Sequence, residues 1–194
     1  MNVLYTIGHS SHPIEVFIGF LQQHGISALA DVRSFPGSRL YPQFAQAALK
    51  SSLQHAGIIY VYLGRELGAK RENPACLLQG KISFELLAGT PLFLQGLERL
   101  RQGMEKHCIC LMCAEKNPLD CHRSILIARR MAESGTPIRH IHADGHLEAH
   151  EALESRLLER YGLEVHDLFR SRGEVLAEAY RRHAGQMVAH SVRK

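Results

Sequence analysis

The chain contains no tryptophan. It has no run approaching the roughly 18 apolar residues that a bilayer-spanning helix needs. The first residues, MNVLYTIGHS, carry neither a basic leader nor a long apolar stretch, so no export signal is expected there. Internal repeats and low-complexity tracts are missing, which excludes solenoids and compositionally driven disorder. The motifs of several common site types are missing as well. No glycine-rich loop ends in GKS/T, no HExxH is present, and there is neither a zinc-finger spacing nor an RNP-type aromatic motif. Neither sign of charge dominates, with 23 lysines and arginines against 19 aspartates and glutamates. The net charge of +4 permits an anionic ligand or a nucleic acid but does not demand one.

What is there fits one compact domain. The 194 residues suffice for a sizeable core, and 45% hydrophobic with 22% charged residues is ordinary for a globular chain. The five cysteines, Cys76, Cys108, Cys110, Cys113 and Cys121, are odd in number. Three of them crowd at one predicted strand, where neighbours cannot form a disulfide framework. Reduced thiols and a cytoplasmic location are expected.

Five short apolar runs read as strands: Val3–Ile7, Ala28–Val32, Ile58–Leu63, Cys108–Met112 and Ile138–Ile141. They are nearly continuous rather than alternating, as strands buried on both faces are. Helical spacing separates them over Pro13–His24, Gln43–Ala56 and the segment opened by Thr90–Pro91, whose stripe is Phe93, Leu97, Leu100 and Met104. Asp120 is expected to cap a further helix from Cys121 to about Glu133. The order predicts an α/β fold: three layers, with a mostly parallel sheet of about five strands flanked by helices. After Gly145 the strands are expected to stop. His146–Tyr161 and Gly173–Val188 then form a C-terminal helical extension. The expected organisation is an α/β core over 1–145 and an extension over 146–194 packed on the same domain.

The chemistry sits at the strand ends. The first strand delivers Gly8, His9 and Ser10; the second, Asp31 and Arg33; the third, Gly64, Arg65 and Glu66; the fourth, Cys113 and Glu115; the fifth, His140, His142 and Asp144. In a parallel sheet these ends share one edge, and open α/β sheets bind their ligands there. The fourth strand leads into LMCAEKNPLDCHR. A helix opening at Cys121 would offer free amides and a positive dipole end, a setting that lowers a thiol pKa and attracts anions.

Three readings of this stretch stay open. Cys113 or Cys121 is a nucleophile activated by His122 or His9. Alternatively Cys113, Cys121 and His122 hold a zinc or iron ion, although Cys-x7-Cys-His matches no common zinc signature. In the third, the cysteines are small buried hydrophobes, the expected state of Cys108 and Cys110. Glu115 is an acid/base candidate or a partner for Arg123.

Other constellations are less specific. The irregular segment SFPGSRLYPQF offers Ser38 and Arg39 to a ligand. LGRELGAKR reads as a solvated basic loop. His146 and His150 are spaced to share a helix face but lack a third ligand. The arginines of the extension, Arg170, Arg172, Arg181 and Arg182, are balanced by nearby glutamates, which reads as a salt-bridged surface.

TIGHS, DVR, the loop carrying Pro36, Ser38 and Phe44, GIIYVYLG, LMCAE, CHR and the HI…DG segment occur in this order. Together they resemble the bacterial domain of unknown function 488 family over about Tyr5 to His150. The C-terminal helices also resemble extensions seen in some members. The family has no established general activity. The resemblance implies that His9, Ser10, Asp31, Arg33, Cys113, Glu115, Cys121, His122, Arg123 and His140 belong to recurring motifs. One departure is Gly68–Ala69, where members often carry paired glycines.

The reading is an enzyme that binds a small anionic molecule, phosphate-bearing or nucleotide-like, at the C-terminal sheet edge. His9, Asp31, Cys113, Glu115, Cys121 and His122 are the expected catalytic groups. Ser10, Arg33, Ser38, Arg39, Arg123 and His140 are the expected substrate contacts. The alternatives are a metal centre at Cys113, Cys121 and His122, or a non-enzymatic nucleic-acid or protein binding module. No cofactor, reaction type or oligomeric state is assigned, and no membrane partner is expected.

Overall fold

A computed structural model describes residues 2–69, 74–78, 80–164 and 170–191. The chain runs β1 (Leu4–Gly8), α1 (Ile14–Gln23), β2 (Ala28–Asp31), α2 (Gln46–His55), β3 (Ile59–Tyr62), α3 (Gly64–Leu67), β4 (Leu77–Leu78), β5 (Lys81–Ile82), α4 (Phe84–Ala88), α5 (Pro91–Met104) and β6 (Ile109–Cys113). It continues through α6 (Arg129–Glu133), β7 (Ile138–Ile141), β8 (Leu147–Ala149), α7 (His150–Arg160) and α8 (Arg172–Ser191). The main sheet has the order β3-β2-β6-β1-β7-β8, and β4 and β5 form a small separate hairpin. All pairings in the main sheet are parallel except β7 with β8. The expected α/β class therefore holds, with six strands in the main sheet instead of about five.

Strand alternation divides the core into two layers. Ile7, Leu29, Cys110 and Met112 pack with Phe17 and Leu21 of α1 and Leu49 and Leu53 of α2. On the other face Ala28, Ala30, Leu111 and Cys113 pack with α5, α6, α7 and α8. Helix α5 keeps its expected stripe, since Phe93, Leu97, Leu100 and Met104 are all buried. Thr90 caps it, its hydroxyl accepting from the Phe93 amide at 3.3 Å, and Pro91 fills the first turn. Leu153, Leu157, Val175, Ala179 and Tyr180 carry α7 and α8 into the same layer. Among the described residues no helix is long and apolar enough to cross a membrane.

Three local expectations need correction. The strands do not stop at Gly145. Asp144–Gly145 makes a hairpin, with the His142 amide on the His146 carbonyl at 2.9 Å, so Leu147–Ala149 extends the sheet and the helix begins at His150. Gly145 has φ +86°, which a glycine takes without strain. His146 thus lies in the turn and shares no helix face with His150. Second, Asp120 is not the cap of the expected helix: Pro118–Asp120 is a 3-10 turn, and Cys121, extended at φ −136°, ψ 137°, takes the N-cap position of the helical run that continues to Glu133. A π-helical turn, Arg123–Ala128, follows before α6. Third, Gly64–Leu67 folds as the short helix α3 inside the expected basic loop, whose Lys70 and Arg71 lie outside the described residues.

Candidate functional site

Connections set where a site can form. β1 and β2 are followed by helices packed on one face, whereas β6 is followed by elements packed on the other. Because β6 lies between β2 and β1, the chain diverges on both sides of its carboxyl end. Such a divergence is where open α/β sheets leave a crevice. His9, Arg33 and Cys113 all emerge there.

The register then separates these residues. Gly8 pairs with Cys113, so His9, one residue further on, turns to the opposite face. Two clusters result. On the α1/α2 face Arg33 grips Asp31 through two hydrogen bonds of 2.9 and 2.6 Å, and the Tyr60 hydroxyl donates to the same carboxylate at 2.8 Å. The His9 ring stacks on Phe44, with centroids 4.3 Å apart and an 18° tilt. Its Nδ1–H donates to the Ser10 carbonyl at 2.9 Å, leaving Nε2 to accept from Arg33 at 3.4 Å. Burial, with the nearby Arg33 charge, holds His9 down to about 4, so the ring is neutral. Ser10 sits at φ 48°, unusual for a residue other than glycine, and its amide donates to the Ala114 carbonyl at 3.0 Å.

The second cluster lies on the α5/α6 face. His122 donates its Nε2–H to the Val32 carbonyl at 3.0 Å. That bond sets the ring's orientation and turns Nδ1 toward two sulfurs, Cys113 Sγ at 3.6 Å and Cys121 Sγ at 4.0 Å. Cys121 Sγ is also 3.1 Å from Glu115 Oε2. Arg123 is fully buried and donates to the main-chain carbonyls of Glu115 at 2.7 Å and Lys116 at 3.4 Å, not to the Glu115 carboxylate. Its Nε has no hydrogen-bond partner among the described residues.

The electrostatics of the sulfur cluster are asymmetric. The hydrogen bond with Cys121, together with burial, pushes the Cys113 thiol up. Burial also opposes ionisation of Cys121, but the hydrogen bond from Cys113 and the charges of Arg123 and His122 outweigh it and hold its thiol well below the usual value. Burial and the neighbouring Cys121 push the Glu115 carboxyl up.

Val32 joins the two clusters, since its carbonyl takes the His122 proton and the next residue is Arg33. Cys113, Cys121, His9 and Arg33 are nearly inaccessible, at 3%, 1%, 3% and 5% exposure. Glu115 and Lys116 are exposed as residues and stand on the solvent side of the sulfurs, while the Glu115 carboxylate end turns inward onto Cys121. The segment after Arg33 covers His9: Tyr41 meets the ring edge-on, and the Ser38 hydroxyl accepts from the Tyr41 amide at 3.2 Å. Arg39 points outward and is exposed. Cys110 faces the other layer and Cys108 precedes β6, so neither joins the sulfurs.

His140 lies one layer deeper. Its Nδ1 meets the Thr6 hydroxyl at 2.8 Å and its Nε2 meets His150 Nδ1 at 3.0 Å, and His150 continues to Tyr180 at 3.2 Å. This buried chain links β1, β7, α7 and α8. The helix N-terminus expected at Cys121 is present: the amides of Ser124 and Ile125 bond to the Cys121 carbonyl as the first intrahelical bonds, with His122 and Arg123 in the first turn. On the extension, Arg170 and Arg182 pair with Glu178, and Arg172 pairs with Glu154. Tyr60 and the Val32 carbonyl were not singled out from the sequence, and Phe44 entered only as part of a family motif. The Tyr-x-Tyr alternation of IYVY was the available signal for Tyr60, since it puts both tyrosines on one face of β3.

A model of the family described as "Domain of unknown function DUF488" matches residues 13–129. No curated protein and no solved structure matches the chain.

Proposed function

The chain belongs to the DUF488 family, whose model covers more than half of it, and on that premise we propose that it is a cytoplasmic enzyme acting on a small anionic substrate. The substrate class is phosphate-bearing or nucleotide-like. The observation that carries this reading is the meeting of Cys113, Cys121 and His122 with His9, Asp31 and Arg33 across one carbonyl, at the divergence of β1, β6 and β2. The sulfur–imidazole cluster is the reacting centre, and Glu115 is the acid/base beside it. Arg33, held by Asp31, and Arg123, fixed on the Glu115 carbonyl, place positive charge on either side of the entry. His9 keeps a neutral ring between them. The segment over residues 34–41 is the cover that a substrate displaces. The unpaired state of all five cysteines supports the reducing compartment.

The test is thermal unfolding with inorganic phosphate, nucleoside mono- and diphosphates, and the matching neutral nucleosides. A ligand at about a hundred times its Kd should add about 2.7 kcal/mol, or roughly 5–10 °C for a chain of this size. Anionic ligands should stabilise the wild type and act much more weakly on Arg33→Met and His9→Ala. An equal response from neutral nucleosides, or full retention in both variants, would overturn the proposal.

A further inference from the structure

The sulfur cluster has the dimensions of a metal site. Sγ of Cys113, Sγ of Cys121 and Nδ1 of His122 all lie within 4.8 Å of one another, and all three residues are buried. A tetrahedral zinc with bonds of about 2.3 Å to sulfur and about 2.0–2.1 Å to nitrogen puts neighbouring sulfur and nitrogen ligands about 3.6 Å apart. The two sulfur–nitrogen separations here are 3.6 and 4.0 Å. We infer that Cys113, Cys121 and His122 bind a zinc-class divalent cation, with the fourth position toward Glu115; the inference deepens the proposed site by giving its reacting centre a metal.

Three further observations favour a metal over three residues that merely pack. The first is the orientation of His122. A ligating imidazole usually donates its other N–H to a carbonyl or carboxylate, which fixes the tautomer. His122 does this with Val32 at 3.0 Å, and its other nitrogen, Nδ1, points at both sulfurs. The second is charge. A divalent ion with two thiolates and the Glu115 carboxylate carries a net negative charge. Arg123 is fully buried, forms no ion pair with a carboxylate among the described residues, and is anchored on the Glu115 carbonyl where it balances that charge. The third is local geometry. The ligands come from the end of β6 and from Cys121–His122, whose extended-then-turning backbone is set by the 3-10 turn before it and the π-helical turn after it. The two cysteines therefore approach from separate segments and converge on one point.

Thiolate and imidazole donors select zinc, cobalt or iron over magnesium and calcium, which require oxygen. Binding releases the protons held by the Cys113 thiol and by the His122–Cys121 pair as the metal–ligand bonds form.

The test uses the full chain purified without a histidine tag. Metal content is measured as isolated, and absorption is recorded after chelation and reloading with cobalt(II). The expected result is about one equivalent of zinc or iron per chain, with thiolate-to-cobalt charge-transfer bands and tetrahedral ligand-field bands in the cobalt form. Cys108→Ser, outside the cluster, should keep both. Cys113→Ser and Cys121→Ser should lower cobalt affinity by at least about tenfold and lose charge-transfer intensity. X-ray absorption of the metal-loaded wild type should find two sulfur neighbours, which keeps the inference testable if either variant misfolds. A wild type that takes up no stoichiometric metal, or a cobalt spectrum without thiolate bands, overturns it. No substrate enters this measurement, so its failure leaves the anion-site proposal to its own ligand test.

Discussion

The Glu115 carbonyl oxygen occupies the place where a side chain on Gly8 would have to go: a Cβ there would stand 1.9 Å from it and 3.2 Å from an Arg123 nitrogen. The end of β1 and the loop after β6 touch backbone to backbone at this point. Arg123 locks the contact by donating to the same carbonyl at 2.7 Å.

Gly8→Ala should therefore destabilise the fold by about 1–3 kcal/mol or more, since backbone cannot step aside as a flexible side chain can. Gly19→Ala is the control. Gly19 is exposed within α1, with nothing within 4 Å of an added Cβ, and the change should be neutral or stabilising by up to about 1 kcal/mol. Urea unfolding of both variants checks the contrast. Equal midpoints would show that the loop after Cys113 moves freely away from β1.

A buried ion pair governs the second prediction. Asp31 is fully buried and accepts from Arg33 at 2.9 and 2.6 Å and from Tyr60 at 2.8 Å. Asp31→Asn leaves the Arg33 charge buried without its counter-charge and should cost about 3–5 kcal/mol. Tyr60→Phe removes one hydrogen bond to a carboxylate and should cost about 1.5–3 kcal/mol. Adding Arg33→Met to Asp31→Asn should recover part of the loss, because no isolated charge then remains. A double variant worse than Asp31→Asn alone would contradict this account.

These two contacts mark what the sequence could and could not reveal. The strand ends were legible because nearly continuous apolar runs stop at polar residues, and five such runs separated by helical spacing imply parallel strands. Which face each end residue takes was not legible. Whether His9 and Cys113 meet depends on the Gly8–Cys113 register, a non-local pairing that alternation within either strand does not determine. In the Cys121 segment the helix was legible but its cap was not: Pro118 opens a 3-10 turn of its own, so Asp120 falls inside that turn and Cys121 takes the cap position. Strand β8 carried a readable signal, the Asp144–Gly145 pair, which the helical spacing downstream obscured.

The capping hydroxyl of α5 gives a small and specific effect. Thr90 Oγ1 accepts from the Phe93 amide at 3.3 Å and donates to the Leu87 carbonyl at 2.8 Å, tying α4 to α5. Thr90→Ala should cost about 1 kcal/mol, whereas Thr90→Ser, which keeps the hydroxyl, should lie within about half of that. Chemical denaturation resolves the difference. An Ala variant as stable as wild type would mean that water replaces the cap fully.

The buried histidine chain makes stability depend on pH with a definite sign. Tyr180 donates to Glu154 at 3.2 Å, so its oxygen accepts from His150 Nε2. His150 Nδ1 then accepts from His140 Nε2, and His140 Nδ1 from the Thr6 hydroxyl. Both rings are neutral in this arrangement. Burial holds His150 down to about 4, despite the opposing charges of Glu151, Glu148 and Glu133, and it holds His140 well below its usual value. A ring depressed in the fold stabilises it above the unfolded pKa of about 6.5. That contribution is lost as pH falls from there toward the folded value, because the unfolded chain takes up the proton first. For His150 the full loss is about 3 kcal/mol, of which about 2 kcal/mol is gone by pH 5. His9 titrates in the same direction, so the comparison must isolate His150. His150→Gln cannot titrate and should lose roughly 2 kcal/mol less than wild type between pH 7.5 and pH 5. Parallel urea-midpoint curves for the two proteins would show that His150 takes up its proton in the fold as readily as in the unfolded chain.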